Sequence, residues 1–362
     1  MLDQTPHSPA RLPDNHPPVL LIVVDTEEEF GWDKPFDRSS TQTASIAVQK
    51  MVHDRIYDRY GIVPTYVVDY PVATAPAAVA ALRTLMENGQ CEIGTHLHPW
   101  VSPPHDEQVT HFNSYTGNLP QALEFEKLRV LTEAIELNFG RRPTTFKAGR
   151  YGLGPHTSAT LARLGYRVDA SIVPHTSFAA DSGPDFSAYT EQPFWFGDPQ
   201  APMLELPVTT GFHGALRSLG PTLYPALSTP LLKKLRAGGI AARLGMLERI
   251  RVTPEGGNAA DMSRIATTLA RNGCQIITLT YHSPSIVPGN TPYVRSTDDL
   301  ESFLNAISEF CDYFQSALGG VFMSVSAVYD ALAQSRPGAS FPATGSSSGT
   351  GSRTSNAINN AL

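Results

Sequence analysis

Two histidines at the end of an apolar stretch are the residues of this sequence that most directly suggest chemistry. In Glu92-Ile93-Gly94-Thr95-His96-Leu97-His98-Pro99-Trp100, His96 and His98 stand two apart. On an extended chain, side chains at i and i+2 point to one side. Both imidazoles can therefore face a single metal ion, the role in which histidine serves zinc and its neighbours. The alternative is a pair of loop histidines without a ligand. Asp25-Thr26-Glu27, closing the apolar run Val19 to Val24, repeats the spacing with carboxylates. One of these can hold a metal while the other takes a proton from water, and the spacing leaves open which does which. The acids that follow, Glu28 and Glu29, read as a solvated run.

Lys147 and Arg150 flank Ala148-Gly149, and a cation beside a catalytic carboxylate keeps it ionised and oriented. Tyr151-Gly152 offers backbone N–H groups for an oxyanion. His282, after Leu279-Thr280-Tyr281, is a candidate general acid tuned by Asp169.

These groups need elements that bring them together. The continuous apolar run Val19 to Val24 suits a strand buried on both faces. Strands are expected over 62–68, 91–95, 144–147, 166–170, 203–208, 275–280 and 321–325. Helices are expected over 43–60, 76–88, 119–139, 156–164, 259–271 and 297–318, and residues 211–255 read as a variable, largely helical insertion. Strand–helix alternation implies βαβ units around a parallel sheet. No glycine-rich dinucleotide fingerprint follows the first strand, so a closed β/α barrel fits better than an open nucleotide-binding sheet. Asp25, His96, Arg150, Asp169 and His282 all follow strands, where barrel enzymes place their chemistry.

The chain has 362 residues, of which 41% are hydrophobic and 17% charged, with a net charge of -7. That balance offers no basic face for nucleic acid and no polybasic membrane patch. Cys91, Cys274 and Cys311 are widely spaced and odd in number, as for reduced thiols rather than a disulfide framework. The apolar run near the amino terminus is too short for a secretory signal or a membrane span, so a cytoplasmic protein is expected. Residues 1–17 read as a flexible leader, 18–335 as the barrel and 336–362 as a disordered Gly/Ser-rich tail. Gly345-Ser346-Ser347-Ser348-Gly349 matches G-x-S-x-G, but no strand precedes it.

Taken in order, the motifs resemble those of the NodB-homology polysaccharide deacetylases, carbohydrate esterase family 4, over residues 18–330. The resemblance rests on Asp25-Thr26-Glu27, on Gly94-Thr95-His96-Leu97-His98-Pro99, and on Phe146-Lys147-Ala148-Gly149-Arg150-Tyr151-Gly152. Leu204-Glu205-Leu206-Pro207-Val208 and Leu279-Thr280-Tyr281-His282 complete it. In that family the acids are adjacent and the histidines four apart, so this chain resembles a divergent branch associated with bacterial exopolysaccharide clusters. The resemblance implies a distorted (β/α)7–8 barrel and one divalent ion, zinc before Co2+, Ni2+ or Fe2+. It implies Glu27, His96 and His98 as ligands, Asp25 as base, Lys147 or Arg150 as its cation, and His282 with Asp169 as acid. Tyr151 and Trp100 are the implied substrate contacts; Trp195 is a further candidate for stacking on a sugar, with core packing as its alternative. The implied activity is deacetylation of an N-acetylated amino sugar, oligosaccharide or polysaccharide precursor. Hydrolysis of a small non-sugar amide, or silent carbohydrate binding, are the alternatives.

Overall fold

The computed structural model describes residues 7–336 apart from 228, 230, 231 and 233; the expected Gly/Ser-rich tail lies, from residue 337, outside the described residues. Its organising strand is β2, Val19–Thr26, all eight residues of which are buried. Side chains of a strand alternate between faces, and here each face meets a different core. Leu20, Ile22 and Val24 pack outward under the helices. Val19, Leu21 and Val23 pack inward with Val67, Val168, Leu204 and Ile276.

Parallel strands flank β2: β3 (Thr65–Val68), β4 (Glu92–Leu97), β5 (Thr145–Ala148), β6 (Val168–Asp169) and β8 (Met203–Glu205) follow on one side, and β11 (Ile276–His282) lies on the other. β12 (Val321–Phe322) pairs with the start of β2. The short strands β1 (Ser8–Pro9) and β7 (Phe194–Phe196) extend the β8 edge in antiparallel fashion. Residues 8–9 of the expected leader are thus paired to the sheet, and Ala10 and Leu12 enter the inner core.

The sheet curls, and the wall between β8 and β11 is completed irregularly. A hairpin of β9 (Thr210–His213) and β10 (Glu248–Arg251) fills it. Val252 N–H donates to Thr209 C=O at 2.9 Å, and Thr280 N–H donates to Val252 C=O at 3.3 Å. The result is the β/α barrel expected from the alternation, distorted as the resemblance implied. The stretch 211–255 therefore holds two strands beside its short helices, Gly220–Leu227 and Ala237–Arg243.

Two expected elements come out differently. Residues 43–60 break into 3-10, α and π turns rather than one helix; within them, the Gln49 side chain donates to Ser283 C=O at 3.2 Å. Residues 321–325 pair only over Val321–Phe322. Ser324 then caps a helix, Val325–Gln334, by accepting from Ala327 N–H. Val325, Val328 and Leu332 of this helix pack into the inner core. The three cysteines are buried and unpaired.

Candidate metal and acid–base site

The inward row of β2 does not end with Val23. Strand alternation carries it on through Asp25 to Glu27 at the mouth of the barrel. The inward rows of β4, β5 and β11 likewise end in His96 and His98, Lys147, and Thr280 and His282. Except for Lys147, which is fully buried against Asp25, they meet in one cleft of about 370 Å³, also lined by Trp32, Tyr151, Arg251, Glu255 and Tyr293.

Glu27 Oε2 lies 3.4 Å from His96 Nε2 and 3.3 Å from His98 Nε2. The far nitrogens decide the tautomers. His96 Nδ1 is 2.9 Å from Lys147 C=O, which can only accept, so it carries the proton and Nε2 is bare. His98 Nδ1 is 2.8 Å from Glu28 Oε2, and Trp100 Nε1 donates to Glu28 Oε1 at 2.7 Å. This clamp assigns the His98 proton to Nδ1 in the same way. Burial pulls the His96 pKa well below its ordinary value and that of His98 down to about 4, so both rings are neutral. Two bare nitrogens and a carboxylate thus converge on one point, and among the described residues Glu27 Oε1 is buried without a hydrogen-bond partner. Burial and the neighbouring acids push Glu27 well above the usual carboxylate range. A divalent ion fits this donor set, since it answers the orphaned oxygen and the two lone pairs together, and His₂Glu is a ligand set of catalytic zinc.

Beside these ligands, Asp25 Oδ1 accepts from Lys147 Nζ at 2.5 Å, and the same ammonium donates to Thr280 Oγ1 at 2.8 Å. Burial alone would raise Asp25, but Lys147 first, and then His282, outweigh it and hold the carboxyl below its ordinary range. His282 Nε2 lies 3.6 Å from Asp25 Oδ2, while its Nδ1 sits 2.8 Å from Glu255 Oε2. Burial lowers His282, but Glu255, then Glu27 and Asp25, bring it up to about 9. A carboxylate base and an imidazolium acid therefore face one cleft at neutral pH.

Of the two cations left open by the sequence, Lys147 is the one at Asp25. Arg150 lines the same cleft but is held elsewhere: it donates to Asp181 Oδ2 at 2.6 Å and stacks over Tyr115, with 4.0 Å from Cζ to the ring centroid. Arg150 and Tyr151 both take left-handed backbone, with φ of 54° and 58°, a strain of roughly 1–3 kcal/mol each of the kind that collects at functional sites. Gly149 permits that turn to press on the site, because a Cβ there would stand 2.4 Å from His98 Cδ2. Tyr151 lines the cleft, accepting from Arg251 at 3.2 Å. Trp100 also borders it but is only 2% exposed, stacked between His98 and Phe36. It props the His98 imidazole rather than offering a free platform. Trp195 is core, edge-on to Tyr329.

Asp169 does not reach His282. Val168 belongs to the inner core, so its neighbour Asp169 faces outward, where it registers with Glu205. The partner of His282 is Glu255, which also accepts from Ser285 Oγ at 2.6 Å. Its sequence signal was present: Glu255 follows the run Ile250 to Val252 and precedes Gly256-Gly257. Glu28, expected to be solvated, is fully buried, and its backbone N–H donates to Asp69 Oδ2 at 2.7 Å. Trp32, edge-on to His282 at 4.9 Å, had no spacing to mark it.

Comparison of the sequence with family models and with curated proteins finds no match. Solved structures do match. The chain is similar to the "putative polysaccharide deacetylase" of Mycobacterium smegmatis, with a TM-score of 0.55 and 19% identity over 92% of this chain and 96% of that one. It is also similar to Puue allantoinase, with a TM-score of 0.50 and 14% identity over 88% of this chain and 91% of the other. Such identities speak to architecture, and the fold is that of the polysaccharide deacetylases.

Proposed function

We propose that the protein is a metal-dependent deacetylase acting on the N-acetyl amide of an amino sugar or a precursor built from one. The observation that carries this reading is the convergence of bare His96 and His98 nitrogens on Glu27, with an ionised Asp25 and a protonated His282 beside them. Glu27, His96 and His98 would hold the ion, zinc first by ligand type. When bound there, a divalent ion polarises an amide carbonyl and lowers the pKa of water. Asp25 takes the proton of the attacking water, and Lys147 keeps that carboxylate charged and aimed. An N–H of the Arg150–Tyr151 turn is the candidate donor to the oxyanion. His282, oriented by Glu255, gives its proton to the departing nitrogen.

A cleft of about 370 Å³ accommodates one sugar unit more readily than a long polymer segment, and Trp32, Tyr151 and Tyr293 at its rim suit a ring face. The same volume also suits a small non-sugar amide, and the likeness in fold to Puue allantoinase favours keeping that second reading. Metal-loaded protein is expected to release acetate from N-acetylglucosamine oligomers or UDP-linked N-acetyl sugars. Turnover of ureides or simple amides, with no acetate from any sugar, would move the assignment to the second reading.

A further inference from the structure

The insertion between β8 and β11 has a charge pattern opposite in sign to that of the whole chain. From Leu206 to Leu247 there are five cations (Arg217, Lys233, Lys234, Arg236 and Arg243) and no acid, in a protein whose net charge is -7. A whole-chain sum hides this block. Arg217, Lys234, Arg236 and Arg243 are all exposed.

The apolar residues of the block are exposed with them. Leu219, Leu235, Ile240, Leu244 and Met246 make up half of the large apolar side chains exposed among the described residues, with Leu244 at 70% and Leu235 at 60%. Leu219, Ile240, Leu244 and Met246 are gathered in space as well as in sequence. Ile240 and Leu244 are one turn apart on the helix Ala237–Arg243 and its C-cap, joined by Leu244 N–H to Ile240 C=O at 3.0 Å. Ala215 and Leu216 N–H groups donate to Gly245 and Met246 C=O at 2.9 and 2.8 Å, which brings the Arg217–Leu219 turn against Met246.

We propose that this surface docks the protein onto an anionic lipid bilayer. Clustered cations are drawn to acidic headgroups, and the leucines among them can enter the headgroup–acyl boundary, the combination that holds interfacial proteins on membranes. Nucleic acid would match the charge but leave the apolar side chains without a use. No helix among the described residues is long and apolar enough to cross a membrane, so the contact is peripheral. The surface also adjoins the cleft: Leu247 leads into β10, and Arg251 at the far end of that strand lines the site, a span of about 13 Å at strand rise.

The test is flotation of the full chain with phosphatidylglycerol-containing vesicles, with pure phosphatidylcholine vesicles as control and chain mass measured by light scattering. Binding to the anionic vesicles, at least about tenfold weaker on the neutral ones and weakened by 0.5 M salt, is expected. Leu235→Glu/Leu244→Glu abolishes binding if the proposal holds. Lys234→Glu/Arg243→Glu, a surface change that keeps the apolar residues, lowers it by a similar tenfold and guards against a misfolded first variant. No binding at low salt, or binding that survives both variants, overturns the proposal. A dimer of wild type that the Leu variant converts to monomer, without vesicle binding, overturns it in favour of a contact between copies.

Discussion

At the cleft, Asp25 is buried beside the Lys147 ammonium and 3.6 Å from His282. On the outer face of the same sheet, Asp169 is equally buried but faces Glu205, and among the described residues neither has an ion-pair partner. Both aspartates stand at or next to the end of a buried strand. The difference between them is parity. Asp25 continues the inward row of its strand to the open end of the barrel, and Asp169 points under the outer layer. Inward, the carboxylate is neutralised by cations and stays ionised. Outward, burial raises Asp169 to about 6 and Glu205 further, so the two carboxyls hold a proton between them. Ser171 fastens the pair, bonding Asp169 with its hydroxyl and accepting from Ala148 N–H at 2.8 Å. One arrangement suits proton transfer; the other ties β6 to β8 and to the turn after β5.

The largest effect that separates the two is catalytic. Asp25→Asn is expected to lower kcat/KM for acetate release by at least about a hundredfold, the scale of lost proton transfer, with metal content unchanged. Asp169→Asn, which keeps a hydrogen-bonding amide in the outer pair, is expected to leave kcat/KM within about threefold. Comparable losses in both variants would break the distinction.

A smaller effect tests the acid. His282 acts while protonated, so activity falls as pH rises through its value of about 9. Glu255 is the main group raising it, and Glu255→Gln should move the alkaline limb of the pH–rate profile down toward the ordinary value of 6.5. The same shift from Asp169→Asn, and none from Glu255→Gln, would return the supporting role to Asp169.

The smallest effect is on stability. Carboxyls raised on folding stabilise fully below their unfolded values, here 3.8 and 4.5, and lose that contribution as pH rises through about 6 and beyond. Glu205→Gln needs no shared proton. Its denaturant midpoint should therefore gain on wild type between pH 5 and pH 8, with activity intact. A difference between the two proteins that stays constant with pH would mean that no proton is shared.

Much of this was legible in the sequence, for a physical reason. The i, i+2 spacing of Asp25 and Glu27, and of His96 and His98, carries its own geometry, because strand alternation is fixed. Lys147 follows the same logic, two positions past Thr145. What the sequence did not show is contact between rows. The closing of the barrel by β9 and β10 brings Glu255 to His282; local spacing marks each as following an apolar run, and nothing in it says that the two meet. Asp169 misled because its strand is only two residues long in the sheet, too short for alternation to reveal which face it takes. Glu28 looked like one acid in a solvated run; its burial follows from the fold of Trp100 and Asp69 around it. The cationic apolar block was present residue by residue, and only the net charge of the whole chain concealed it.

The central claim is that the inward row binds a metal and the outward pair does not, and Co2+ titration followed by visible absorption measures this directly. One equivalent per chain in wild type and in Asp169→Asn, with the absorption band absent from His96→Ala/His98→Ala, is the predicted result. An undiminished band in the double histidine variant, or no cobalt bound by wild type, would contradict it.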